Sequence, residues 1–255
     1  MATRLATRLR PWSPKLPETL AGLEIVLAGG AGGIGSALAE LLAAEGARLV
    51  VSYHSNAGRA ARLRGLATVV QADLTKPEDR LRLLDAAPNL YGLVALAGDP
   101  ARVLDPLHFE EVSRRSHDVN FLGPVMLARE AAARMKEKGT PGAIVLFSTM
   151  QAVALFPGST AYAAPKAALL HAARILAKEC RGSANIRVNV IAPGVTAAGM
   201  AEASIASGKY DHYIEAGIIP RFGRAPDVAR AVRFFLEPDS YITGQVLTVD
   251  GGLTL

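Results

Sequence analysis

The feature that most constrains this chain is a junction near its start. A short apolar run, Glu24–Ala28, leads directly into Gly29-Gly30-Ala31-Gly32-Gly33-Ile34-Gly35, and an Ala- and Leu-rich stretch follows to Glu45. Strand, glycine turn and helix in that order give a tight reversal that ends on a helix N-terminus. There, free N–H groups and the positive dipole end favour an anion such as a diphosphate. Two spacings are open: Gly30, Gly32 and Gly35 fit one dinucleotide-binding pattern, and Gly29, Gly33 and Gly35 fit another. A flexible turn would show the same letters, but the mechanism requires the strand and helix that flank this one.

The rest of the chain repeats that alternation. Ile25–Ala28, Arg48–Ser52, Thr68–Gln71, Tyr91–Ala97, Ala143–Phe147, Arg187–Ile191 and Val246–Val249 are short runs rich in Val, Ile and Leu. Continuous apolar runs suit strands buried on both faces of a parallel sheet. Helical stretches separate them: Ile34–Glu45, Pro77–Ala87, Phe121–Lys138, Ala161–Cys180 and Asp227–Leu236. The expectation is a single α/β domain over residues 18–255. It is doubly wound (Rossmann-type), with a mostly parallel seven-stranded sheet and helices on both faces. Gly194–Gly223 is the longest stretch without sheet character and reads as a lid or binding loop.

Composition fits such a core. Half of the 255 residues are hydrophobic and a fifth are charged. The single cysteine, Cys180, excludes an internal disulfide framework, and no metal is expected. No apolar run reaches the length of a membrane span, so neither a membrane partner nor an extracellular location is indicated; the cytoplasm is expected. Arg4, Arg8, Arg10 and Lys15 account for all but one of the net +5 charges. The near-neutral body argues against nucleic acid. Residues 1–17 form a basic N-terminal extension in which Ala-Thr-Arg-Leu occurs twice, at Ala2–Leu5 and Ala6–Leu9. Its acid-free composition is like that of a transit peptide; the preferred reading is a surface arm or a loose end.

The second strand continues as Leu49-Val50-Val51-Ser52-Tyr53-His54-Ser55-Asn56 without the acid that would bind a ribose 2′-hydroxyl. A carboxylate there would repel a 2′-phosphate. Tyr53, His54 and Ser55, with Arg59 downstream, instead favour NADP(H), with NAD(H) possible. Farther on, Tyr162-Ala163-Ala164-Pro165-Lys166 opens a helical segment. Positions i and i+4 share a face, so Tyr162 and Lys166 can serve one site. Pro165 is tolerated if it lies in the first turn, where Tyr162 also meets the positive dipole end. A tyrosine with its ordinary pKa of about 10 is a poor base, and a nearby ammonium should lower that value.

Glycine loop, hydroxyl-bearing strand end and Tyr-x-x-x-Lys, in this order, resemble the short-chain dehydrogenase/reductase family over Leu20–Leu255, and in detail its 3-oxoacyl-carrier-protein reductase-like and glucose dehydrogenase-like members. Further matching segments are Asp73-Leu74, Asp118-Val119-Asn120, Ile186–Gly194, Arg221–Arg224, Tyr241–Gln245 and Val249–Gly252. The resemblance implies an NADPH-dependent reductase that transfers hydride to a ketone, reversible as an alcohol dehydrogenase. Tyr162 would be the proton donor and Lys166 would hold the nicotinamide ribose. Asn120 would link the lysine to a water chain, and a hydroxyl would polarise the substrate oxygen. Cofactor contacts would come from Gly29, Gly33, Ile34, Gly35, Tyr53, His54, Ser55, Asp73, Leu74, Ala97, Gly98, Tyr162, Lys166, Pro193, Gly194, Val195 and Thr196. A homotetramer packed through Phe121–Lys138 and Ala161–Cys180 is implied as well.

The chain departs from that pattern in several places. The family's catalytic serine falls on Thr149, with Ser148 beside it pointing to the opposite face. Ala95-Leu96-Ala97-Gly98 lacks two amides, Ala28 replaces a threonine, and Ala198 replaces another, leaving Thr196 to take over part of its contacts. In the family those polar groups tie loops together, so other groups must do so here. Gln151, Val153, Leu155, Phe156, the Asp99–Leu104 loop and Met200, Ile205, Tyr210, His212, Tyr213 and Ile214 should line a mainly apolar pocket for a neutral ketone or alcohol. The rival reading is a non-catalytic NADP(H)-binding sensor or regulator. Loss of the tyrosine or lysine would favour it, and both are present.

Overall fold

The computed structural model describes residues 19–182 and 184–255, so the N-terminal extension lies outside the described residues. The elements run β1 (Glu24–Ala28), α1 (Gly33–Ala44), β2 (Arg48–Tyr53), α2 (Ala57–Ala61), β3 (Ala67–Gln71), α3 (Pro77–Asp85), β4 (Leu90–Ala95), α4 (Phe109–His117), α5 (Gly123–Lys138), β5 (Gly142–Phe147), α6 (Thr160–Glu179), β6 (Ile186–Pro193), α7 (Glu202–Ala206), α8 (Asp211–Glu215), α9 (Ala225–Leu236) and β7 (Val246–Val249).

Seven strands form one sheet in the order β3-β2-β1-β4-β5-β6-β7, and every pairing is parallel. Alternation along each strand divides the core in two. Val26, Ala28, Ile144 and Leu146 face α3, α5 and α6, whereas Ile25, Leu27, Val145 and Phe147 face α1, α2 and α9. Each face therefore buries its own apolar layer, as a doubly wound fold requires. The order reverses between β1 and β4, where a crevice must open at the strands' C-terminal ends. Among the described residues, no helix is long and apolar enough to cross a membrane.

Three local expectations change. First, the fourth strand ends at Ala95, two residues early. Secondly, the helix expected to begin at Phe121 is preceded by α4, which sequence reading passed over. A π-turn at Asp118–Leu122 joins α4 to α5, making a nearly continuous helical run from Phe109 to Lys138. α4 is short and mostly exposed, and its Phe-Glu-Glu-Val-Ser-Arg-Arg-Ser-His sequence gives only Val112 as a buried apolar anchor. Thirdly, Pro165 is not in the first turn: α6 begins at Thr160, so the proline lies inside the helix. The N–H it lacks would have bonded to the Ala161 carbonyl.

Excursion 194–223 is more ordered than a plain loop. Backbone bonds from Gly223 N to Val195 O (2.9 Å) and from Ala197 N to Gly223 O (2.7 Å) close its base. A 3₁₀ turn at Gly199–Ala201, then α7 and α8, fold above it.

Candidate active site

The crevice at the C-terminal ends of the strands is a single cleft of about 1360 Å³ running from the β2–α2 loop to the excursion. One end is the glycine loop. A Cβ added at Gly29, Gly30, Gly33 or Gly35 would come within 2.7, 2.7, 2.7 and 2.4 Å of other atoms, so close packing demands all four glycines. Gly29 has φ +76°, which suits only glycine well. At Gly32 the nearest atom is 3.6 Å away. Gly32 is the N-cap of α1, without a side-chain capping bond. Crowding thus favours the Gly29, Gly33, Gly35 spacing. Open space before uncapped first-turn N–H groups fits a dinucleotide diphosphate.

The amides missing after β4 are replaced from elsewhere. Gly29 N donates to Ser52 Oγ at 2.9 Å, and Leu96 N and Ala97 N both donate to Ala28 O, at 2.8 and 3.1 Å. Ser52 is a buried polar residue in an apolar strand, a signal the sequence offered and the site reading passed over. Asp99 does more: its carboxylate accepts from Ala101 N (2.7 Å) and from Arg115 Nε (2.6 Å).

Asn120 lies behind this loop and is fully buried. Its Nδ2 donates to Asp99 O and to Ser116 Oγ, both at 2.9 Å, and its Oδ1 accepts from Asp99 N at 3.0 Å. Unlike the other expected catalytic residues, Asn120 does not line the cleft. It braces the segment around Gly98, where an added Cβ would meet Asn120 Oδ1 at 3.1 Å and Lys166 Nζ at 3.6 Å. The π-turn that carries Asn120 aims its side chain at that loop, and such turns often mark functional positions.

Beyond Gly98 the end of β5 meets α6. Ser148 Oγ donates to the Lys166 carbonyl at 2.9 Å. The next residue, Thr149, turns the other way and hydrogen-bonds the Tyr162 side chain. That division is what alternation along a strand requires, and it puts a hydroxyl beside the phenol as expected of Thr149. Lys166 is 2% exposed, and its Nζ donates to Phe147 O at 2.8 Å.

The ionisation of this pair departs from expectation. Burial pushes Tyr162 up to about 12, outweighing the Thr149 hydrogen bond that favours phenolate; nearby Tyr210 also raises it. Burial alone lowers Lys166 to about 8. The ammonium therefore does not bring the phenol down, because desolvation dominates both groups. At neutral pH the tyrosine keeps its proton.

All the expected cofactor-contact residues line the cleft: Gly29, Gly33, Ile34, Gly35, Tyr53, His54, Ser55, Asp73, Leu74, Ala97, Gly98, Tyr162, Lys166, Pro193, Gly194, Val195 and Thr196. Asn56, Thr75 and Arg115 join them, as do Gly32 of the alternative glycine spacing and Arg59, the downstream arginine that favours NADP(H). Asp73 is buried enough to raise its carboxyl, but hydrogen bonds from Thr75 and the charges of His54 and Lys76 bring it below the ordinary value.

The substrate half is walled by Pro100–Leu104, Met150, Gln151, Phe156, Met200, Tyr210, His212 and Tyr213. Tyr210 and Tyr213 stack with ring centres 6.4 Å apart. Val153, Leu155, Ile205 and Ile214 were expected there but do not line the cleft. Leu155 is 99% exposed to solvent. Thr196 lines the cleft, and its Oγ1 donates to Gly194 O at 3.2 Å. Cys180 is buried, and burial pushes its thiol up.

Comparison with known proteins follows this geometry. A family model described as enoyl-(acyl carrier protein) reductase matches residues 29–254. An uncharacterized oxidoreductase of Methylorubrum extorquens is 35% identical over 252 residues, covering 92% of this chain and 98% of the relative. An NADPH-dependent aldehyde reductase-like chloroplastic protein of Arabidopsis thaliana is 34% identical over 267 residues, covering 94% of this chain and 96% of its own. Among solved structures, a short-chain type dehydrogenase/reductase from Mycobacterium ulcerans superposes with a TM-score of 0.85 at 29% identity, covering 93% of this chain and 91% of that one.

Proposed function

Because this chain belongs to the short-chain dehydrogenase/reductase family, we propose that it is an NADPH-dependent carbonyl reductase, able to run in reverse as an alcohol dehydrogenase. The observation that carries the reading is the Tyr162 hydroxyl, hydrogen-bonded to Thr149 in the cleft one helical turn from the buried Lys166. With its phenol pushed up to about 12, Tyr162 is a proton-holding group at neutral pH, suited to donate to an oxygen that gains charge.

NADPH, when bound, supplies the hydride. The chain supplies the rest. Thr149 donates to the carbonyl oxygen and stabilises its growing charge. Tyr162 delivers the proton from its Oη to that oxygen. Lys166, held by the Phe147 carbonyl, presents its Nζ to the nicotinamide ribose and supplies positive charge beneath the site. Asn120 acts as a positioning residue that fixes Gly98 and Asp99. The glycine loop takes the diphosphate, and Asp73 and Leu74 flank the adenine. Tyr53, His54 and Ser55, joined by Arg59, face the 2′-phosphate; the lack of an acid at the end of β2 and the NADPH dependence in the name of the Arabidopsis relative support NADP(H) over NAD(H). The thioether and aromatic walls favour an apolar ketone or aldehyde. The outer face of α6, with Ala164, Ala167, Ala168 and Ile175 exposed in one chain, suits burial between subunits of a homotetramer.

The test is NADPH consumption against ketones, β-ketoesters, quinones and aldehydes, with wild type and Tyr162→Phe in parallel. Turnover in wild type and a fall of about 10³-fold in the variant, with NADPH binding retained, is the expected result. NADPH binding without turnover on the whole panel overturns the reductase reading.

A further inference from the structure

An acid from the excursion, Glu202, does not line the cleft but engages the arginine at its β2 end. Arg59, in α2, lines the cleft beside Tyr53, His54, Ser55 and Asn56. Its Nη2 lies 3.8 Å from Oε2 of Glu202, the first residue of α7. Glu202 is itself anchored: its Oε1 accepts from Gly199 N at 2.9 Å. Gly199 in turn lies against the glycine loop, where a Cβ on Gly33 would come within 2.7 Å of Gly199 N and 3.0 Å of Ala198 Cβ. On the opposite flank, Arg102 Nη2 donates to Met200 O at 3.1 Å. The excursion thus lies over the glycine loop and is held on both sides by arginines, one of which belongs to the proposed 2′-phosphate end.

From this we propose that Glu202 is a specificity-determining residue for the cofactor, a carboxylate supplied by the excursion that competes with the 2′-phosphate for Arg59. The inference rests on the reading that the Arg59 end receives the adenosine ribose. Its logic is electrostatic. A 2′-phosphate is dianionic or nearly so and needs the guanidinium that Glu202 engages; the two anions also repel each other directly. A 2′-hydroxyl carries no charge and needs no guanidinium, so the pair leaves NAD(H) binding almost untouched. Glu202 therefore weakens NADP(H) binding, narrowing the discrimination that the acid-free β2 end would otherwise give.

Glu202→Gln isolates the charge. Glutamine keeps the oxygen that accepts from Gly199 N, and the residue is exposed enough for the fold to tolerate the change. Dissociation constants for NADPH and NADH are measured from cofactor fluorescence on the full chain, for wild type, Glu202→Gln and Arg59→Gln, at low and high salt. In Glu202→Gln the NADH-to-NADPH ratio of dissociation constants is expected to rise about five- to tenfold, with NADPH tighter and NADH little changed, and less at high salt. A ratio within twofold of wild type, or weaker NADPH binding, overturns the proposal. Arg59→Gln tests the underlying reading separately: the ratio should collapse toward unity. If Arg59→Gln leaves the ratio unchanged, that reading fails and takes the inference with it.

Discussion

At the Tyr162 end of the cleft the phenol is half-buried and the Lys166 and Thr149 beside it are buried, whereas at the Arg59 end the working groups stand in water. Lys166 is 2% exposed, while the side chains of Arg59 and His54 are 47% and 72% exposed. The buried end is carried by the end of β5 and the first turns of α6, which two core layers hold rigid; the exposed end rests on a five-residue helix and a loop. The difference follows from what each end must do. Moving a proton at neutral pH requires ionisation to be shifted, and desolvation is the means available. Telling one phosphate from one hydroxyl requires only a charge in the right place, and long side chains in solvent provide it at little cost to the fold.

If the buried end is held at the expense of stability, Lys166→Met should show it with the largest effect of these variants. Reductase kcat/KM should fall by about 10³-fold or more, since the ribose contact and the positive charge both vanish. Folding stability at pH 7 should nevertheless rise, by about 1–2 kcal/mol once the lost bond to Phe147 O is deducted. The sign follows from proton binding. Lys166 has a folded pKa of about 8 against an ordinary 10.5, so between those values the unfolded chain holds the proton and the folded chain does not. Wild-type stability should therefore gain a contribution as pH climbs from about 8 to about 10.5, and the variant should lack it. Thermal unfolding at pH 7 and pH 9.5 checks this. A variant both inactive and less stable at pH 7 would mean that Lys166 supports the fold rather than straining it.

Thr149 sharpens the same contrast at smaller amplitude. Thr149→Ala should lower kcat about 100-fold by removing a donor to the developing oxyanion, with KM for NADPH unchanged. Thr149→Ser keeps the hydroxyl and should stay within about threefold of wild type. Single-turnover rates at saturating NADPH separate the two. Equal damage from both variants would show that the methyl, and so packing, is what matters at Thr149.

Sequence reading reached the two ends unequally, for physical reasons. The strand–helix alternation, the glycine loop and the Tyr162–Lys166 pair were legible because each depends on local spacing: apolar runs along a strand, glycines at a turn, one helix face. Ser148 and Thr149 were correctly divided because alternation is local too. Less visible was anything that depends on burial or on contacts across the chain. The ammonium was expected to lower the phenol, but desolvation of Tyr162 has no signature in neighbouring letters. The bracing of Asp99 by Asn120 is such a contact, made across 21 residues from a π-turn that local spacing does not announce. α4 offered too few apolar anchors to be seen. Leu155 reads as lining, yet it is exposed, and no local pattern distinguishes the two.

Arg115 is the smallest test and lies where the two ends meet. It lines the cleft with its side chain 49% exposed, and pairs through Nε with Asp99 Oδ2 at 2.6 Å. Asp99 in turn is bound through its backbone to Asn120, and so to the loop around Gly98. Were this pair part of the buried machinery, Arg115→Gln would damage kcat. As a half-exposed pair it should contribute little, about 1 kcal/mol or less, because solvent and salt screen it. The expected result is a KM for NADPH raised about threefold, with kcat held near wild type and the difference fading in high salt. Asn120 and the Ala101 N–H would still hold Asp99, which is why the loop should loosen rather than collapse. A kcat loss greater than the KM change, insensitive to salt, would place Arg115 with Tyr162 and Lys166 and would move the boundary between the two ends one residue shell outward.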